Sequence, residues 1–342
     1  MPRAHSRPSA TVRDVARVAR VSTATVSRAL RFPEVVRPAT RARIERAVAR
    51  LNYVSHGVAR ALSTRRTDSV GAVIPTLDNA IYAVSTHSLQ KALEQAGYTL
   101  LLACHEFDLE AEARMARAFV EKGVDALVLV GTAHHPATRA LLGSLSIPYV
   151  LTWSLDRSAA HPSVGFDNRA AGRTIAEYLL GLGHRRIAMI SGVTDGNDRA
   201  RDRVAGVRAA LKRANLALEC LVQAPYTLQA GREALARVVA SAQPTAVVCG
   251  NDILGIGAIQ QAQALGIGVP GELSITGFDD MEIATVVSPA LTTVRFPIAE
   301  TGLQAAKYLV ARLRGDAPPA CLELPLELVR RASTAPPRGP AG

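Results

Sequence analysis

Residues 11–30 read TVRDVARVARVSTATVSRAL, and this stretch decides the fold of the first part of the chain. Thr11 stands three residues before Asp14, and apolar residues recur at helical spacing from Val15 onward. A hydroxyl at the N-cap accepts a free backbone N–H, and an acid in the first turn suits the helix dipole. The pattern therefore predicts a first helix from Val12 to Ala19.

Two further helices are predicted after the first. Ser22 is placed to cap a helix from Thr23 to Leu30, after a tight turn through Arg20 and Val21. Helical spacing of apolar residues predicts a third helix from Pro38 to Leu51, because proline suits the start of a helix. Two short helices joined by a brief turn and supported by a third form a helix-turn-helix module.

The positive charge of the chain is concentrated in this module. Residues 1–66 hold fifteen Arg, no Lys and three acidic residues, which gives a net charge of +12, whereas the whole chain has +11. The remaining residues therefore sum to −1. A concentrated basic segment indicates a polyanionic partner, most often nucleic acid. A solvated basic helical bundle without a ligand is the alternative.

The second helix is expected to enter the major groove of double-stranded DNA with its N-terminal residues at the base edges. An arginine on this face can pair with both acceptors of guanine, and short hydroxyl side chains bind phosphate oxygens. The residues expected at base edges are Thr23, Ala24, Ser27 and Arg28, and those expected at phosphates are Thr11, Ser22 and Thr25.

From residue 69 onward, short apolar runs alternate with helical patterns, which favours parallel sheets covered by helices. About 260 residues is long for one sheet, so two similar sheets in tandem fit better. The predicted strands are Val70–Ile74, Thr99–Ala103, Ala126–Val130, Tyr149–Leu151, Ile187–Ile190, Ala246–Cys249 and Ser274–Phe278. The predicted helices are Thr86–Gln95, Glu110–Glu121, Ala171–Leu182, Asp202–Asn215, Gly231–Ala240 and Ile253–Leu265.

The head sequence resembles the lactose/galactose repressor family of bacterial transcription factors. The similarity lies in residues 11–30 and in TRARIERAVARLNYVSHGVARAL at residues 40–62. It implies a hinge helix that folds on operator DNA and places Ala59 and Leu62 at the minor groove, where an apolar wedge bends the duplex. A flexible linker, with Leu62 docked on the body, is the alternative. The resemblance also implies DNA contacts at Arg31, Asn52 and Tyr53.

The head departs from the family at two positions. Arg20 stands where the family commonly has Gly. If Arg20 is left-handed, it costs about 1 kcal/mol relative to Gly, and a contact of its side chain with a phosphate is the alternative. Arg31 stands where relatives often have Asn, and we expect it to alter contacts at the edge of each half-site.

The body resembles the type I periplasmic sugar-binding fold through VIPTLDN, LGHRRIAMISG, RVAGVRAAL, CGNDILGIGAI, VPGELSITGFDD and PALTTV, which occur in this order. Ligands of such folds lie beyond the carboxyl ends of the strands, which here face a cleft between two lobes. A carboxylate, an amide and a guanidinium bind hydroxyls or a carboxylate, and an indole covers a sugar ring. The effector-binding residues that this implies are Ile81, Tyr82, Trp153, Arg203, Asn251 and Asp279.

Each polar member of this set has a structural alternative. Asp279 can cap a strand end, Arg203 can be a surface helix residue, and Asn251 can be a helix N-cap. As effector-binding residues, Arg199 and Arg201 are less favoured than Arg203. The adjacent pair at residues 134–135, His-His, is expected to be solvated.

The sequence argues against an enzyme, because it contains no GxxxxGK[ST], GxGxxG, HExxH or GxSxG motif. Four scattered cysteines without a CxxC pair are expected to be buried thiols and not a disulfide or zinc framework. No metal site and no cofactor are predicted. No apolar run of eighteen residues and no signal-like N-terminus occur, which predicts a cytoplasmic protein without a membrane partner.

These observations predict a small all-α helix-turn-helix head followed by an α/β body of two doubly wound parallel-sheet lobes. The expected segments are a disordered tail at 1–10, the head at 11–56, the hinge at 57–68, the two-lobed body at 69–333 and a disordered tail at 334–342.

The predicted function is that of a transcriptional regulator, most simply a repressor, which binds a near-palindromic operator as a homodimer. A small-molecule effector in the cleft, a sugar or sugar acid, is expected to control operator affinity. The RFPE and GFDN runs (residues 31–34 and 165–168) are similar to those of gluconate-type repressors, which implies a sugar acid. The alternatives are a non-specific architectural DNA-binding protein and a cytosolic sugar-binding or sugar-processing protein.

Overall fold

The computed structural model describes residues 10–53 and 66–338. The chain divides into two compact units, with the boundary between Thr67 and Asp68. We call the first unit the head and the second the body, and each is described by itself.

Three helices build the head: α1 (Val12–Ala19), α2 (Thr23–Arg31) and α3 (Pro38–Leu51), with a short 3-10 helix at Pro33–Val35. The predicted bounds are confirmed, except that α2 extends one residue further. A capping box between Thr11 and Asp14 begins α1, and Arg20 ends it in the left-handed conformation, at φ 53°. The cost of about 1 kcal/mol for a left-handed Arg at this position therefore applies.

The core of the head is small and aliphatic. Val15 and Ala19 of α1, Val26 of α2, and Ile44 and Ala47 of α3 are buried against one another. The three helices each contribute one stripe to this core, so the polar and basic side chains lie on the outside.

The body contains two six-stranded sheets of similar topology. The first has the strand order β11-β5-β4-β3-β1-β2 and the second β12-β10-β9-β8-β6-β7. The observed pairs are parallel, except that β12 pairs with β10 antiparallel. The strands are β1 (Ser69–Ile74), β2 (Thr99–Cys104), β3 (Ala126–Val130), β4 (Tyr149–Thr152), β5 (Ser163–Gly165), β6 (Ile187–Ser191), β7 (Leu221–Gln223), β8 (Ala246–Cys249), β9 (Ser274–Asp279), β10 (Thr292–Arg295), β11 (Cys321–Glu323) and β12 (Glu327–Val329).

Helices connect the strands in the manner of doubly wound folds. They are α4 (Ala80–Gln95), α5 (Leu109–Glu121), α6 (Pro136–Ser144), α7 (Asn168–Gly181), α8 (Asp198–Arg213), α9 (Leu228–Ser241), α10 (Asp252–Ala264), α11 (Ile283–Val286) and α12 (Ile298–Arg314). The expected fold class, a helical head followed in the chain by two doubly wound lobes, is confirmed.

The chain passes between the lobes three times: after β5, after β10 and after β11. Helix α12 therefore returns to the first lobe and packs on α4 so closely that a Cβ at Gly302 would lie 2.0 Å from the Ser85 carbonyl oxygen. The three crossings place the carboxyl ends of both sheets around one cleft.

Several elements of the body were not predicted. Helices α6, α11 and α12 and strands β5, β7, β10, β11 and β12 are absent from the sequence-based assignment. Most of these strands have three residues, which is too short for a clear alternation pattern.

Two expectations about the C-terminal part are wrong. Thr334 and Ala335 fall in the expected disordered tail, yet Thr334 Oγ1 lies 2.8 Å from the Tyr178 hydroxyl, and the Ala335 carbonyl lies 2.9 Å from His184 Nε2. Side chains of the second lobe thus hold both residues. Cys321, expected to be buried, is exposed because its strand lies at the edge of the first sheet.

Within the described residues, no helix is long and apolar enough to cross a membrane. In the same part of the chain, no group of three or more His, Cys, Asp or Glu is arranged to hold a metal ion.

Candidate functional site

The first candidate site is the outer face of α2. Val26 and Ala29 turn inward to the core of the head, so the opposite face of α2 turns outward. The side chains exposed on this face are Thr23, Ala24, Ser27 and Arg28. They are the four residues expected at base edges, and the structure brings them together on one surface.

The three hydroxyl residues expected at phosphates lie at the starts of α1 and α2. Ser22 Oγ accepts a hydrogen bond from the Thr25 backbone N–H at 3.1 Å and lies 2.8 Å from Thr25 Oγ1. Thr11 Oγ1 donates to Asp14 at 2.7 Å. These hydroxyls fix the helix starts, and their contact with phosphates stays a prediction.

The remaining DNA-binding candidates are dispersed. Asn52 ends α3 in the left-handed conformation and is exposed, whereas Tyr53 is half-buried against the core of the head. Arg31 is the last residue of α2. Ala59 and Leu62 lie outside the described residues.

The second candidate site is a buried cavity between the two lobes of the body. It is lined by all six predicted effector residues, Ile81, Tyr82, Trp153, Arg203, Asn251 and Asp279, together with Asn79, Arg199 and Tyr226. Its volume is about 20 Å³, which is room for about one water molecule. A ligand of sugar size therefore requires the lobes or the lining side chains to move.

Arg203 is the structural centre of the cavity. Its Nε donates to Asn168 Oδ1 at 3.1 Å, its Nη1 to the Gly250 carbonyl at 2.7 Å, and its Nη2 to Asp279 Oδ1 at 3.5 Å. The guanidinium also lies over the rings of Phe278 and Phe296, at 4.9 and 4.8 Å. Arg203 is 4% exposed, which excludes the surface-helix alternative. Five contacts fix its orientation before any ligand binds.

Two buried polar atoms in the lining have no hydrogen-bond partner among the described residues. They are Asn251 Nδ2 and Asp279 Oδ2. Asn251 does act as the predicted N-cap, because its Oδ1 accepts from the Leu254 N–H at 2.9 Å, but this leaves its amide hydrogens free. Burying such a group without a partner costs about 1–3 kcal/mol. The cavity thus offers one unsatisfied donor group and one unsatisfied acceptor.

Aromatic rings form the apolar side of the cavity. The rings of Tyr82 and Trp153 lie 4.8 Å apart, and Phe166 supports Trp153 at 5.9 Å in an edge-to-face arrangement. Trp153 has φ 71° and Asp279 has φ 104°, and positive φ values are unusual for residues other than glycine. Strained backbone of this kind clusters at functional sites because the surrounding structure has to hold it in place.

Burial changes the acidity of the cavity. It raises the pKa of Asp279 to about 6, although the Arg203 guanidinium opposes this shift. Burial and the Asp279 charge also raise the pKa of Asp252, which accepts hydrogen bonds from the Thr293 hydroxyl at 2.6 Å and the Met281 N–H at 2.7 Å. The lining carboxyl of Asp279 therefore titrates close to neutral pH.

A bridge of hydrogen bonds joins the lobes beside the cavity. Asp198, at the start of α8, accepts from both the backbone N–H and the hydroxyl of Thr132 at 2.9 Å, and from Arg199 Nη1 at 2.8 Å. A Cβ at Gly131 would lie 2.2 Å from Arg199 Nη1, so this position has no room for a side chain. Arg199 both lines the cavity and belongs to this bridge.

The sequence did not identify every lining residue. Arg199 was less favoured than Arg203, although both are buried, and Arg201 is exposed as that ranking implies. Tyr226 was missed because it follows β7, a strand with no clear sequence signal, and Asn79 because its type suggests only a helix cap.

The expectation that the pair at residues 134–135 is solvated is wrong for His134. Its Nδ1 lies 2.9 Å from Glu112 Oε1, and both side chains are buried. Glu112 is 22 residues away in the sequence, so no local pattern indicates this pair. His135 instead caps α6.

Comparisons with known proteins cover both the head and the body. The profile described as "Bacterial regulatory proteins, lacI family" matches residues 11–56, and the profile described as "Periplasmic binding protein-like domain" matches residues 176–334. The ribose operon repressor of Escherichia coli (strain K12) is 33% identical over 310 residues, which are 89% of this chain and 93% of that repressor.

Two solved structures extend the similarity to three dimensions. A lacI-family transcriptional regulator from Silicibacter pomeroyi superposes with a TM-score of 0.88 at 27% identity, over 96% of this chain and 100% of that one. A transcriptional regulator CelR–cellobiose complex gives a TM-score of 0.71 at 29% identity, over 96% and 100%. The chain therefore belongs to the lacI family of bacterial regulatory proteins, whose members are DNA-binding transcriptional regulators and not enzymes.

Proposed function

We propose that this protein is a homodimeric transcriptional repressor whose affinity for operator DNA is controlled by a small polar ligand bound in the body cavity. The observation that carries the proposal is the pair of unpartnered buried atoms, Asn251 Nδ2 and Asp279 Oδ2, in the same chain as a basic helix-turn-helix head. Burying two such atoms lowers the free energy of unfolding, and a polar ligand that forms hydrogen bonds with them offsets this loss.

The head reads the operator through the exposed face of α2. Arg28 pairs with a guanine, and the methyl groups of Thr23 and Ala24 meet thymine methyls. Two heads related by the two-fold axis of a homodimer bind two half-sites of a near-palindromic operator. Residues 57–68 form the hinge, in which Ala59 and Leu62 contact the minor groove at the centre of the site.

The ligand is a sugar or a sugar acid. Asn251 donates to it, Asp279 accepts from it, and Trp153 covers one face of its ring. Arg203 provides positive charge next to Asp279 for a hydroxyl or a carboxylate. The names of two similar proteins, a ribose operon repressor and a regulator in complex with cellobiose, support a carbohydrate.

Ligand binding changes DNA affinity by shifting the population of lobe arrangements. A ligand does this only in proportion to its differential affinity for the two arrangements. The cavity volume of about 20 Å³ supports such a mechanism, because a sugar cannot enter without a change in the lining or in the lobe angle. The bridge at Asp198 is the polar contact that a change of lobe angle has to break.

The protein acts in the cytoplasm, where its DNA and its ligand are found, and needs neither a cofactor nor a metal. Its partners are double-stranded DNA, the effector and a second copy of the chain, with which it forms a homodimer.

Selection of bound sequences from a random DNA library, with and without a panel of sugars and sugar acids, tests the proposal. We expect a palindromic motif whose recovery rises or falls with one compound. Asp279→Ala should recover the same motif without any response to that compound, whereas Arg28→Ala should recover a motif with relaxed sequence preference. Absence of any enriched motif contradicts the regulator proposal, and an Asp279→Ala protein that still responds moves the ligand site elsewhere.

A further inference from the structure

We propose that a basic groove between α7 and α8, on the surface of the second lobe, is a docking site for an acidic segment of a partner protein. This site is separate from both the α2 face and the body cavity. Binding of a partner protein there is a second means of control, in addition to the effector of the proposed function. The groove has a volume of about 400 Å³. Its cationic walls are Arg169, Arg201, Arg208 and Lys212.

The groove owes its shape to close packing of the two helices. A Cβ at Gly172 of α7 would lie 2.1 Å from the Arg203 carbonyl oxygen, and a Cβ at Gly206 of α8 would lie 2.0 Å from the Arg169 carbonyl oxygen. The two helix backbones are therefore in contact, and the long side chains on either side of this contact form the walls of the groove. The helix backbones that carry the groove are preformed, so binding of a partner orders only the exposed side chains of the walls.

The cations follow one line. Arg201, Arg208 and Lys212 are at positions i, i+7 and i+11 of α8, which lie on the same face of a helix. They span about 16 Å at the rise of an α-helix. Arg169 of α7 faces them from the other side of the groove. A single small anion cannot reach all four, whereas an extended acidic segment can.

Ion pairing within the protein does not account for these charges. Among the described residues, Arg201 has one carboxylate within 4 Å, that of Asp202 at 3.9 Å, and no ion pair is found for Arg169, Arg208 or Lys212. The body as a whole has a net charge of −1, so this concentration of cations is local.

Helix stability does not account for the two arginines at the helix starts either. Arg169 is the second residue of α7 and Arg201 the fourth residue of α8, where the helix dipole disfavours positive charge. Lys212 lies in the last turn of α8, where the dipole favours a cation, but Arg208 is a like charge four residues before it, which is unfavourable. A carboxylate-bearing partner offsets both effects.

The floor of the groove favours a protein over a nucleic acid. It consists of Val204, Ala205 and Ala209, which are small and apolar. An acidic amphipathic segment can place apolar side chains on this floor and carboxylates on the walls. A phosphate backbone has no group that gains from an apolar floor.

The test uses the full chain saturated with its operator duplex, so that DNA occupies the basic head. A display library of random 14-residue peptides is panned against this complex, and affinities of the recovered peptides are measured by fluorescence polarisation. We compare the wild type with the triple variant Arg201→Ala, Arg208→Ala and Lys212→Ala. The matched control removes three exposed cations elsewhere in the same lobe: Arg186→Ala, Arg232→Ala and Arg237→Ala.

We expect recovered peptides rich in Asp and Glu with interspersed apolar residues. The groove variant should weaken their binding about tenfold, and the control variant less than about twofold. The proposal is overturned if no acidic peptides are enriched, or if both variants weaken binding equally. It is also overturned if a single-stranded oligodeoxynucleotide or tripolyphosphate competes with the same dependence on the three cations, because the groove then takes a nucleic acid or a free phosphate compound.

Discussion

Replacing Asp279 with Asn tests the electrostatics of the cavity without changing its shape. Asp279 is 1% exposed, and burial raises its pKa from 3.8 to about 6. The folded state therefore disfavours the ionised carboxylate relative to the unfolded state. As the pH rises from 4 to 6, the unfolded chain ionises first, and the wild-type protein loses stability.

The size of this loss follows from the two pKa values. A shift of one pKa unit corresponds to about 1.4 kcal/mol, so the raised pKa costs the wild type about 3 kcal/mol at pH 7 and roughly 0.5 kcal/mol at pH 4. An Asn at position 279 does not titrate. Asp279→Asn should therefore unfold at higher urea concentration than the wild type at pH 7, and the difference should nearly vanish at pH 4.

Trp153 makes the assay direct, because it is the single tryptophan of the chain and lies in the body cavity. Its fluorescence in urea at pH 4, 5, 6 and 7 reports unfolding of the body. The exposed Asp195→Asn is the control and should stay within about 0.5 kcal/mol of the wild type at each pH. If the wild-type and Asp279→Asn stabilities run parallel from pH 4 to pH 7, the pKa of Asp279 is not raised and the reasoning about the cavity is refuted.

Three further changes test other parts of the molecule. Arg28→Ala should cost about 1–3 kcal/mol on the operator in gel-shift titrations and relax sequence preference, whereas an equal loss on random DNA would mean a phosphate contact. Leu62→Ala should reduce operator bending in circular-permutation gel shifts, and an unchanged bend angle would rule out a minor-groove wedge. Asp198→Asn should destabilise the body by about 3 kcal/mol in urea, because it leaves Arg199 buried without its charged partner. The half-exposed Asp202→Asn on the next turn is its control, and equal losses for both variants would contradict a stabilising buried ion pair between Asp198 and Arg199.

The head could be predicted almost residue by residue because its signals are local. The capping box at Thr11 and Asp14, the cap at Ser22 and the proline at position 38 each act within one helical turn. Side chains that lie within four residues of one another in sequence are also neighbours in a helix. The bounds of α1, α2 and α3 follow from this.

The cavity residues could be predicted for a different reason. Trp153 and Asn251 follow predicted strands, and Asp279 ends the strand β9, so all three lie at the carboxyl ends of parallel strands that meet at one edge. Residues that reach the cavity from elements that the sequence did not predict could not be found in this way, and Tyr226 is one of them. The bridge between Asp198 and Thr132 joins residues 66 positions apart and has no sequence signal at all.

The alternatives left open at Asn251 and Asp279 show where sequence reasoning stops. A helix cap and a ligand contact were treated as competing roles for Asn251, but the side chain divides them between two atoms: Oδ1 caps α10, and Nδ2 faces the cavity. Asp279 divides its oxygens in the same way, with Oδ1 on Arg203 and Oδ2 unpartnered. At Asn251 the residue type predicts the bond that stabilises the fold, because that bond is local, whereas the bond between Asp279 and Arg203 joins residues 76 positions apart. The side-chain atom that has no partner can be identified only in the complete structure, where all its neighbours are known. It is this atom that a ligand recognises.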